Sequence, residues 1–523
     1  MMSRLLAAML CASLVACAEP PDAGAGRPEV SVDGEKLIGE YLAGADVAVF
    51  RGIPFAEPPV GELRWRAPQP LHTKVAMRDV AEFAPACMQS MRILEWYRNM
   101  AEIFGSTRDE FEDLAISEDC LYLNVWTTNQ DENAKLPVMV YVHGGSNNSG
   151  WAYEPDYHGH VLAERGVVVV SIAYRLGLFG FLSHPDIEND EAQANFGLWD
   201  QVAALQWIQQ NIHLFGGDPD QITLFGESAG SQDILALMAS PKAKGMFQRA
   251  ILQSNAGFGL PPRTRTLDGE RQRGEETTKL FGFDGDGAWQ KLKSIAADEL
   301  LARYEEHFPR YYHAPAIDGQ LLQSPIWDTI TAGQLADIPF IIGSNGDERY
   351  GGAPEDATEE TVRKTIKETV YLDSPRSFSA VQSETDYREM IDRISTADGM
   401  LCPSQYTAAL YDDAWVYYFA RVREGDGGAA VRAYHGAELP YTFGTHPGWM
   451  TTTDVDRKLT DQILSYWTQF AASGNPNSPG LPEWPAFTGP DGAIMEFADE
   501  ARAGTPQEPV LCRIFRESVT ALN

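Results

Sequence analysis

The sequence Gly-Glu-Ser-Ala-Gly at residues 226–230 restricts the possible folds of this chain more than any other stretch. An apolar run with strand composition, 221–225, precedes it, and a segment that suits a helix, 234–238, follows it. At such a strand-to-helix turn, a Gly-x-Ser-x-Gly pentapeptide raises its serine hydroxyl above the sheet. Backbone N–H groups at the start of the helix then favour developing negative charge. The pattern predicts that Ser228 is a nucleophile; the alternative is an incidental serine in a glycine-rich turn.

Short apolar runs alternate with helix-like segments along the chain. Wholly apolar runs of this length are typical of strands buried on both faces of a parallel sheet. The expected strands lie at 47–55, 137–142, 167–173, 221–225, 249–253, 339–343 and 414–422. Helical spacing of apolar residues covers 91–97, 196–212 and 455–472. The alternation predicts an α/β fold with a doubly wound, mostly parallel central sheet.

Polar, helix-like segments at 258–335 and 350–412 interrupt this alternation. We expect them to be helical excursions that cover the sheet and the active site. The sequence Gly-Gly-Asp-Pro at 216–219 predicts a turn before the strand at 221–225. A formal net charge of −33 argues against nucleic acid and anionic membrane surfaces as partners, and its simplest consequence is solubility.

The first 28 residues have the features of an export signal and a tether. Residues 5–16 are apolar after Arg4 but too short to span a bilayer, which predicts a signal peptide at 1–16. The sequence Leu-Val-Ala-Cys ending at Cys17 resembles a bacterial lipobox, so a lipid on Cys17 would tether the protein to a membrane. Ordinary cleavage without a lipid is the alternative. Residues 17–28 predict a flexible tether, and residues 29–523 are expected to form a single domain. The exported protein would be found in the cell envelope, the periplasm or the medium.

Four cysteines remain after the signal peptide and the lipobox: Cys87, Cys120, Cys402 and Cys512. An even number in an exported chain predicts two disulfides. Four cysteines permit three pairings, and the residues alone do not choose among them.

A serine nucleophile needs a base that accepts its proton and a third group that orients the base. The expected chain order is serine, acid, histidine. Two acidic residues, Asp347 and Glu348, follow a predicted buried strand. The histidines downstream of Ser228 are His307, His313, His435 and His446. Position alone selects neither the acid nor the base.

Three further strings resemble the type-B carboxylesterase family. They are Phe-Arg-Gly-Ile-Pro-Phe-Ala at 50–56 with two prolines after it, Ser-Glu-Asp-Cys-Leu-Tyr-Leu-Asn at 117–124, and Phe-Gly-Gly-Asp-Pro at 215–219. With the pentapeptide at 226–230, the similarity runs from about Pro28 to the C-terminus. It implies an α/β-hydrolase fold and hydrolysis of small carboxylic esters through an acyl-enzyme, with no metal or organic cofactor.

The same resemblance assigns roles to individual residues. Glu348 would be the acid of a triad with Ser228 and His435, and Asp347 is the alternative acid. Two further residues would lie beside the triad: Glu227 lining the substrate pocket and Ser254 near the acid, each with a purely structural role as the alternative.

The oxyanion hole would be formed by backbone N–H groups of Gly144, Gly145, Ser146 and Ala229. The family usually has a third glycine where this chain has Ser146, so the pocket width and one donor are expected to differ. Asn147 and Asn148 also replace residues that are often aromatic or small.

The resemblance pairs Cys87 with Cys120 and Cys402 with Cys512. It also implies that loops at 88–117 and 258–335 determine specificity, while leaving the natural ester and the oligomeric state open.

Two other functions fit the same motifs. The triad could act on an amide, carbamate or polyester-like substrate, or the chain could be an inactive adhesion-type member of the fold.

Overall fold

The central element of the structure is a mixed β-sheet. A computed structural model describes residues 26–522, apart from 73, 188–191, 256–263, 310 and 383. The predicted signal peptide at 1–16, Cys17 and most of the predicted tether lie outside these residues.

Within the described ranges, the sheet contains eleven strands in the order β18-β17-β16-β15-β12-β11-β9-β10-β8-β4-β3. Their bounds are β3 Glu40–Tyr41, β4 Ala48–Pro54, β8 Tyr122–Thr127, β9 Leu136–Val142, β10 Val168–Ile172, β11 Gly217–Glu227, β12 Arg249–Gln253, β15 Phe340–Asn345, β16 Ala414–Phe419, β17 Ile494–Phe497 and β18 Ala501–Gly504. Along this order, the seven strands β17, β16, β15, β12, β11, β9 and β10 pair in parallel, and antiparallel strands complete both edges. The predicted mostly parallel sheet is confirmed.

Small additional pairings lie outside this sheet. Their strands are β1 Glu29–Val32, β2 Glu35–Ile38, β5 Met77–Asp79, β6 Ala86–Cys87, β7 Ile116–Ser117, β13 Arg265–Thr266 and β14 Ala316–Ile317.

Strand β9 shows why an unbroken apolar run folds as a central strand. Side chains of successive strand residues point to opposite faces of a sheet. Val138, Val140 and Val142 therefore pack into the core on one face, while Met139 and Tyr141 pack into the core on the other. Both faces are covered by helices, so each position from Val138 to Val142 is buried.

The helices cover the two faces and form the predicted excursions. Those in the main alternation are α1 Arg92–Ile103, α2 His160–Ala163, α3 Gly177–Phe181, α4 Phe196–Asn211, α5 Ala229–Ala239, α14 Gly425–Val431, α15 Leu439–Phe443, α16 Asp454–Ser473 and α17 Pro509–Leu522. Those in the excursions are α6 Leu267–Leu280, α7 Ala288–Lys293, α8 Ala297–His307, α9 Ile326–Thr331, α10 Glu359–Glu368, α11 Pro375–Val381, α12 Tyr387–Thr396 and α13 Cys402–Ala408. None of the helices in the described residues is both long and apolar enough to cross a membrane.

Two disulfides tie the peripheral segments to the fold. Cys87 bonds to Cys120 across a sequence separation of 33 residues, enclosing α1. Cys402 bonds to Cys512 across 110 residues and joins α13 to α17. Both predicted pairings are present in the structure.

One turn ends earlier, and the strand after it begins earlier, than the sequence indicates. The turn expected over 216–219 is concentrated at Gly216, whose φ is +81°, and strand β11 already starts at Gly217. Gly217 pairs with Leu136, and the register then shifts before Ile222. Pairing with β9 therefore extends the strand through the Gly-Asp-Pro segment that we expected to be irregular.

Candidate active site

Ser228 occupies a strained turn between β11 and α5. Its backbone has φ 56° and ψ −120°, a conformation that is uncommon for residues other than glycine. The Ser228 N–H donates to the Gln253 carbonyl at 2.9 Å. A Cβ on Gly230 would lie 2.0 Å from the Val142 carbonyl oxygen. The glycine therefore permits helix α5 to approach the end of β9, which holds the serine above the sheet.

His435 lies between Ser228 and Glu348. Its Nε2 is 2.8 Å from Ser228 Oγ, and its Nδ1 is 2.6 Å from Glu348 Oε2. A carboxylate can only accept, so the Nδ1–H donates to Glu348 and leaves Nε2 free to accept from the serine hydroxyl. Glu348 follows the carboxyl end of β15, and Ser228 follows the carboxyl end of β11. Both residues therefore lie at the carboxyl ends of the parallel strands.

Several groups hold the Glu348 carboxylate. Its Oε1 accepts the Asn345 backbone N–H at 2.7 Å. Burial disfavours the charge, but His435, the Asn345 N–H and the Ser254 hydroxyl outweigh it, so the pKa of Glu348 lies below its usual value. Asp347 points elsewhere: its carboxylate accepts the Ala433 N–H at 3.1 Å.

The other candidate histidines are distant from this chain of contacts. His313 is buried against the Tyr304 hydroxyl at 3.2 Å. His446 lies between the Arg423 guanidinium and the Thr460 hydroxyl. His307 packs edge-on against the Phe308 ring, so among the four candidates only His435 contacts Ser228 in the described residues.

A second carboxyl group reaches the imidazole. Glu227 Oε1 lies 3.2 Å from His435 Nε2. Burial raises the pKa of Glu227 to about 8. Burial also disfavours the imidazolium of His435, but the carboxylates of Glu227 and Glu348 outweigh it and raise its pKa to about 9.

Sequence reasoning missed the groups that support the acid. The Asn345 side-chain amide donates to Glu438 Oε2 at 2.5 Å, and the Gln253 amide donates to Glu438 Oε1 at 3.1 Å. Burial raises the pKa of Glu438 to about 7. Asn345 thus supports Glu348 through its backbone and Glu438 through its side chain. The two contacts to Glu438 have no local sequence signal, because they join strands β12 and β15 to a residue far along the chain.

The loop after β9 has an unusual backbone. Gly145, Ser146 and Asn147 have successive φ values of +99°, +62° and +54°. A Cβ on Gly145 would lie 1.8 Å from the Ser149 carbonyl oxygen, so only glycine fits there. No acceptor among the described residues engages the N–H groups of Gly144, Gly145, Ser146 or Ala229. Ala229 directly follows Ser228, and a Cβ on Gly144 would lie 3.2 Å from the Ser228 Cβ, so at least these two residues lie beside the serine.

Contacts outside the loop fix its path. The Arg92 guanidinium donates to the Gly145 carbonyl at 2.8 Å, and the Asn148 amide donates to the Tyr311 carbonyl at 2.8 Å. In a planar trans peptide, the N–H points away from the C=O. Fixing the Gly145 carbonyl therefore also fixes the direction of the Ser146 N–H.

A cavity of ≈ 260 Å³ adjoins this loop at Asn148. Its walls come from both segments that we expected to determine specificity. The first contributes Met88, Ser90 and Arg92, and the second contributes Leu301, Tyr304, Glu305, Phe308, Pro309, Tyr311 and His313.

The chain is similar in sequence and in fold to proteins named as esterases. A model of the carboxylesterase family matches residues 27–510. The chain is 33% identical over 505 residues to the fumonisin B1 esterase of Sphingopyxis macrogoltabida, a match that covers 90% of this chain and 88% of that protein. It is 34% identical over 462 residues to the para-nitrobenzyl esterase of Bacillus subtilis, covering 84% of this chain and 88% of that protein.

The fold agrees with these sequence matches. The structure superposes on a carboxylesterase of Geobacillus stearothermophilus with a TM-score of 0.80 at 29% identity, covering 94% of this chain and 100% of that chain. The chain therefore belongs to the carboxylesterase family and is a serine hydrolase that cleaves carboxylic ester bonds.

Proposed function

We propose that Ser228, His435 and Glu348 form the catalytic triad and that hydrolysis proceeds through an acyl-enzyme. The observation that carries this proposal is the continuous chain of contacts from Ser228 Oγ through both ring nitrogens of His435 to Glu348. Each contact has the length of a hydrogen bond, as a base and its orienting group require.

In the first half-reaction, His435 Nε2 removes the Ser228 hydroxyl proton as Oγ attacks the ester carbonyl carbon. Collapse of the tetrahedral intermediate breaks the bond to the alcohol oxygen, and the imidazolium gives that oxygen its proton. The Glu348 carboxylate stabilises the imidazolium in between. The products at this stage are the free alcohol and an acyl group on Ser228.

In the second half-reaction, water takes the place of the alcohol. His435 accepts a proton from the water as its oxygen attacks the acyl carbon. Collapse then returns the proton to Ser228 Oγ and releases the carboxylic acid. One ester and one water have become one acid and one alcohol, and the enzyme is regenerated.

The negative oxygen of both intermediates requires fixed donors. We assign this role to the N–H groups of Gly144, Gly145, Ser146 and Ala229, which have no acceptor among the described residues. We further assign Glu227 to the pocket wall beside the reacting atoms and Ser254 to the support of Glu348. The cavity beside Asn148 is the proposed site for one substituent of the ester.

An aryl phosphonate that resembles the tetrahedral intermediate tests the nucleophile directly. Stoichiometric loss of activity, with the phosphonyl adduct located on Ser228 by peptide mass spectrometry, is expected. The Ser228→Ala variant should form no adduct and should lose at least ~10³-fold in kcat. An adduct on another residue, or an active Ser228→Ala enzyme, would contradict the assignment.

We also propose that the chain is exported, with a signal peptide at 1–16, a lipid on Cys17, a tether over 17–28 and a single domain over 29–523. The two disulfides support export, because disulfides persist in oxidising compartments. The eleven-stranded sheet, which draws strands from both ends of 29–523, supports a single domain. Globomycin should block processing of the precursor in expressing bacteria, whereas unchanged processing would indicate secretion without a lipid.

A further inference from the structure

A buried side-chain bridge connects the loop after β9 to the helix that follows Ser228. Asn147 and Asp233 are both fully buried. The Asn147 Nδ2 donates to Asp233 Oδ1 at 3.1 Å. Asp233 belongs to α5, whose first residue directly follows Ser228. The two elements that would carry oxyanion donors are thus joined away from solvent.

Further hydrogen bonds hold both ends of the bridge. Asp233 Oδ2 accepts from Gln201 Nε2 at 2.6 Å, which anchors it to α4. The single proton of the Tyr174 hydroxyl is within reach of two acceptors, the His143 carbonyl at 2.7 Å and Asn147 Oδ1 at 3.2 Å. Every polar side-chain atom of Asn147 and Asp233 therefore has a partner, and the side chains have a single arrangement.

The backbone of Asn147 is held as well. Its carbonyl accepts the Gly177 N–H at 2.6 Å. Its φ of +54° is a left-handed conformation, which asparagine adopts more readily than most residues. Three successive left-handed residues do not persist by local preference alone, so contacts outside the loop must maintain them.

We propose that Asn147 and Asp233 form a positioning bridge that fixes the oxyanion donors of the loop relative to Ser228. This inference rests on the proposed oxyanion role of the loop. Neither side chain touches the substrate in this account. The bridge sets the distance between the N–H groups of Gly145 and Ser146 on one side and Ala229 on the other.

The bridge has a kinetic signature that a purely structural contact lacks. Oxyanion donors act on charge that exists only in the tetrahedral state. Loosening the bridge should therefore lower kcat and leave KM nearly unchanged. Binding of an aryl trifluoromethyl ketone, which forms an oxyanion with the nucleophile, should weaken in parallel with the loss of kcat/KM.

A reciprocal exchange tests the bridge with almost no change in shape. Asn147→Asp replaces the amide donor with a carboxylate that faces Asp233. We expect kcat to fall by at least ~10-fold while KM stays within ~3-fold of wild type. This loss is smaller than the ~10²–10³-fold loss expected when an oxyanion N–H donor is deleted. Adding Asp233→Asn places a donor on the opposite side and should restore kcat to within ~5-fold of wild type.

A matched control separates the bridge from the general cost of a buried charge. Asn124 is buried in β8 and donates to Ser171 Oγ at 3.0 Å. Asn124→Asp makes the same chemical change away from the loop, and it should lower thermal stability without changing kcat. A folded Asn147→Asp enzyme with wild-type kcat, or a folded double variant no better than Asn147→Asp, would overturn the proposal.

Asn147→Gly covers the case in which Asn147→Asp does not fold. Glycine suits the left-handed backbone and deletes both side-chain contacts. Its kcat should fall by at least ~10-fold, and an unchanged kcat would overturn the bridge. Failure of the triad assignment is distinguishable, because only that failure would leave Ser228→Ala active.

Discussion

Glu227 Oε1 lies 3.2 Å from His435 Nε2, the same ring nitrogen that faces Ser228 Oγ at 2.8 Å. When Glu227 is ionised, it stabilises the imidazolium together with Glu348. The proposed base is then harder to deprotonate than an ordinary histidine. Burial opposes the Glu227 charge and raises its pKa to about 8, so the protonation of Glu227 and His435 is coupled.

The first prediction concerns the pH dependence of the reaction. The base must be neutral to accept the Ser228 proton, so kcat/KM should rise with pH as His435 loses its proton. The carboxylates raise the pKa of His435 to about 9, which places this rise above the range of an unperturbed histidine. Glu227→Gln removes one carboxylate and should move the rise to lower pH.

The measurement is kcat/KM on one neutral aryl ester from about pH 5 to about pH 10 for wild type and Glu227→Gln. Agreement of kcat values between two buffers at each pH controls for buffer catalysis. A rise that stays in place or moves to higher pH in the variant would show that Glu227 does not bias His435.

The second prediction separates the two adjacent acids. Glu348→Gln keeps the size of the side chain but cannot stabilise the imidazolium, so kcat should fall by ~10²–10⁴-fold. Asp347→Asn changes a group that contacts Ala433 and Arg432 instead, at 3.1 and 3.4 Å. Its kcat should stay within ~5-fold of wild type. The reverse ranking, in variants with wild-type circular dichroism, would identify Asp347 as the acid.

Local sequence patterns predicted the buried strands at the centre of the sheet, but not β3, β8, β17 and β18, and not the contacts of the site. An apolar run such as 137–142 carries its own signal, because each residue must be buried on one face or the other. The contact between His435 and Ser228 joins residues 207 positions apart, and only resemblance to a family selected this histidine from four. Long-range pairing of side chains has no periodic signature.

The supports of the site were even less accessible from sequence. Asn345 lies two residues beyond the predicted strand 339–343, and its side-chain contact with Glu438 depends on how β15 packs against the segment that carries His435. Asn147 and Asp233 each look unremarkable alone. Their meeting follows from the close approach of α5 to β9, which the glycine at 230 allows.

The third prediction concerns the disulfides. In the chain-entropy account, a cross-link stabilises by restricting the unfolded chain, and a longer loop is restricted more. For separations of 33 and 110 residues, the expected contributions to the free energy of unfolding are about 4 and about 5 kcal/mol, respectively. Paired replacement by alanine should lower the unfolding temperature in both cases, with the larger loss for Cys402 and Cys512.

Differential scanning calorimetry at one fixed scan rate provides the measurement. Peptide mass spectrometry of the non-reduced variants should show that the remaining disulfide is intact. Equal stability of the wild type and the Cys402→Ala/Cys512→Ala variant would show that this cross-link does not restrict the unfolded chain.

The last prediction concerns Ser146, whose left-handed backbone decides which substitutions can test its N–H group. Proline requires φ near −65°, whereas Ser146 has φ +62°. Ser146→Pro would therefore rebuild the loop as well as delete an N–H group, and its kcat would not isolate the donor. Glycine avoids this difficulty, because it adopts the left-handed backbone and keeps the N–H.

In Ser146→Gly, removal of the Cβ relieves the strain of the left-handed backbone, which should raise the free energy of unfolding by about 1–2 kcal/mol. The greater freedom of glycine in the unfolded chain should lower it by about 0.5–1 kcal/mol, so the two effects partly cancel and the net change in stability should be small. Its kcat on a small aryl ester should stay within ~10-fold of wild type, since the donor survives. Acceptance of bulkier esters should widen relative to Ser146→Ala, which keeps the Cβ and serves as the matched control. A loss of more than ~10²-fold in kcat in both Ser146→Gly and Ser146→Ala, with both variants folded, would show that the serine side chain itself takes part in the reaction.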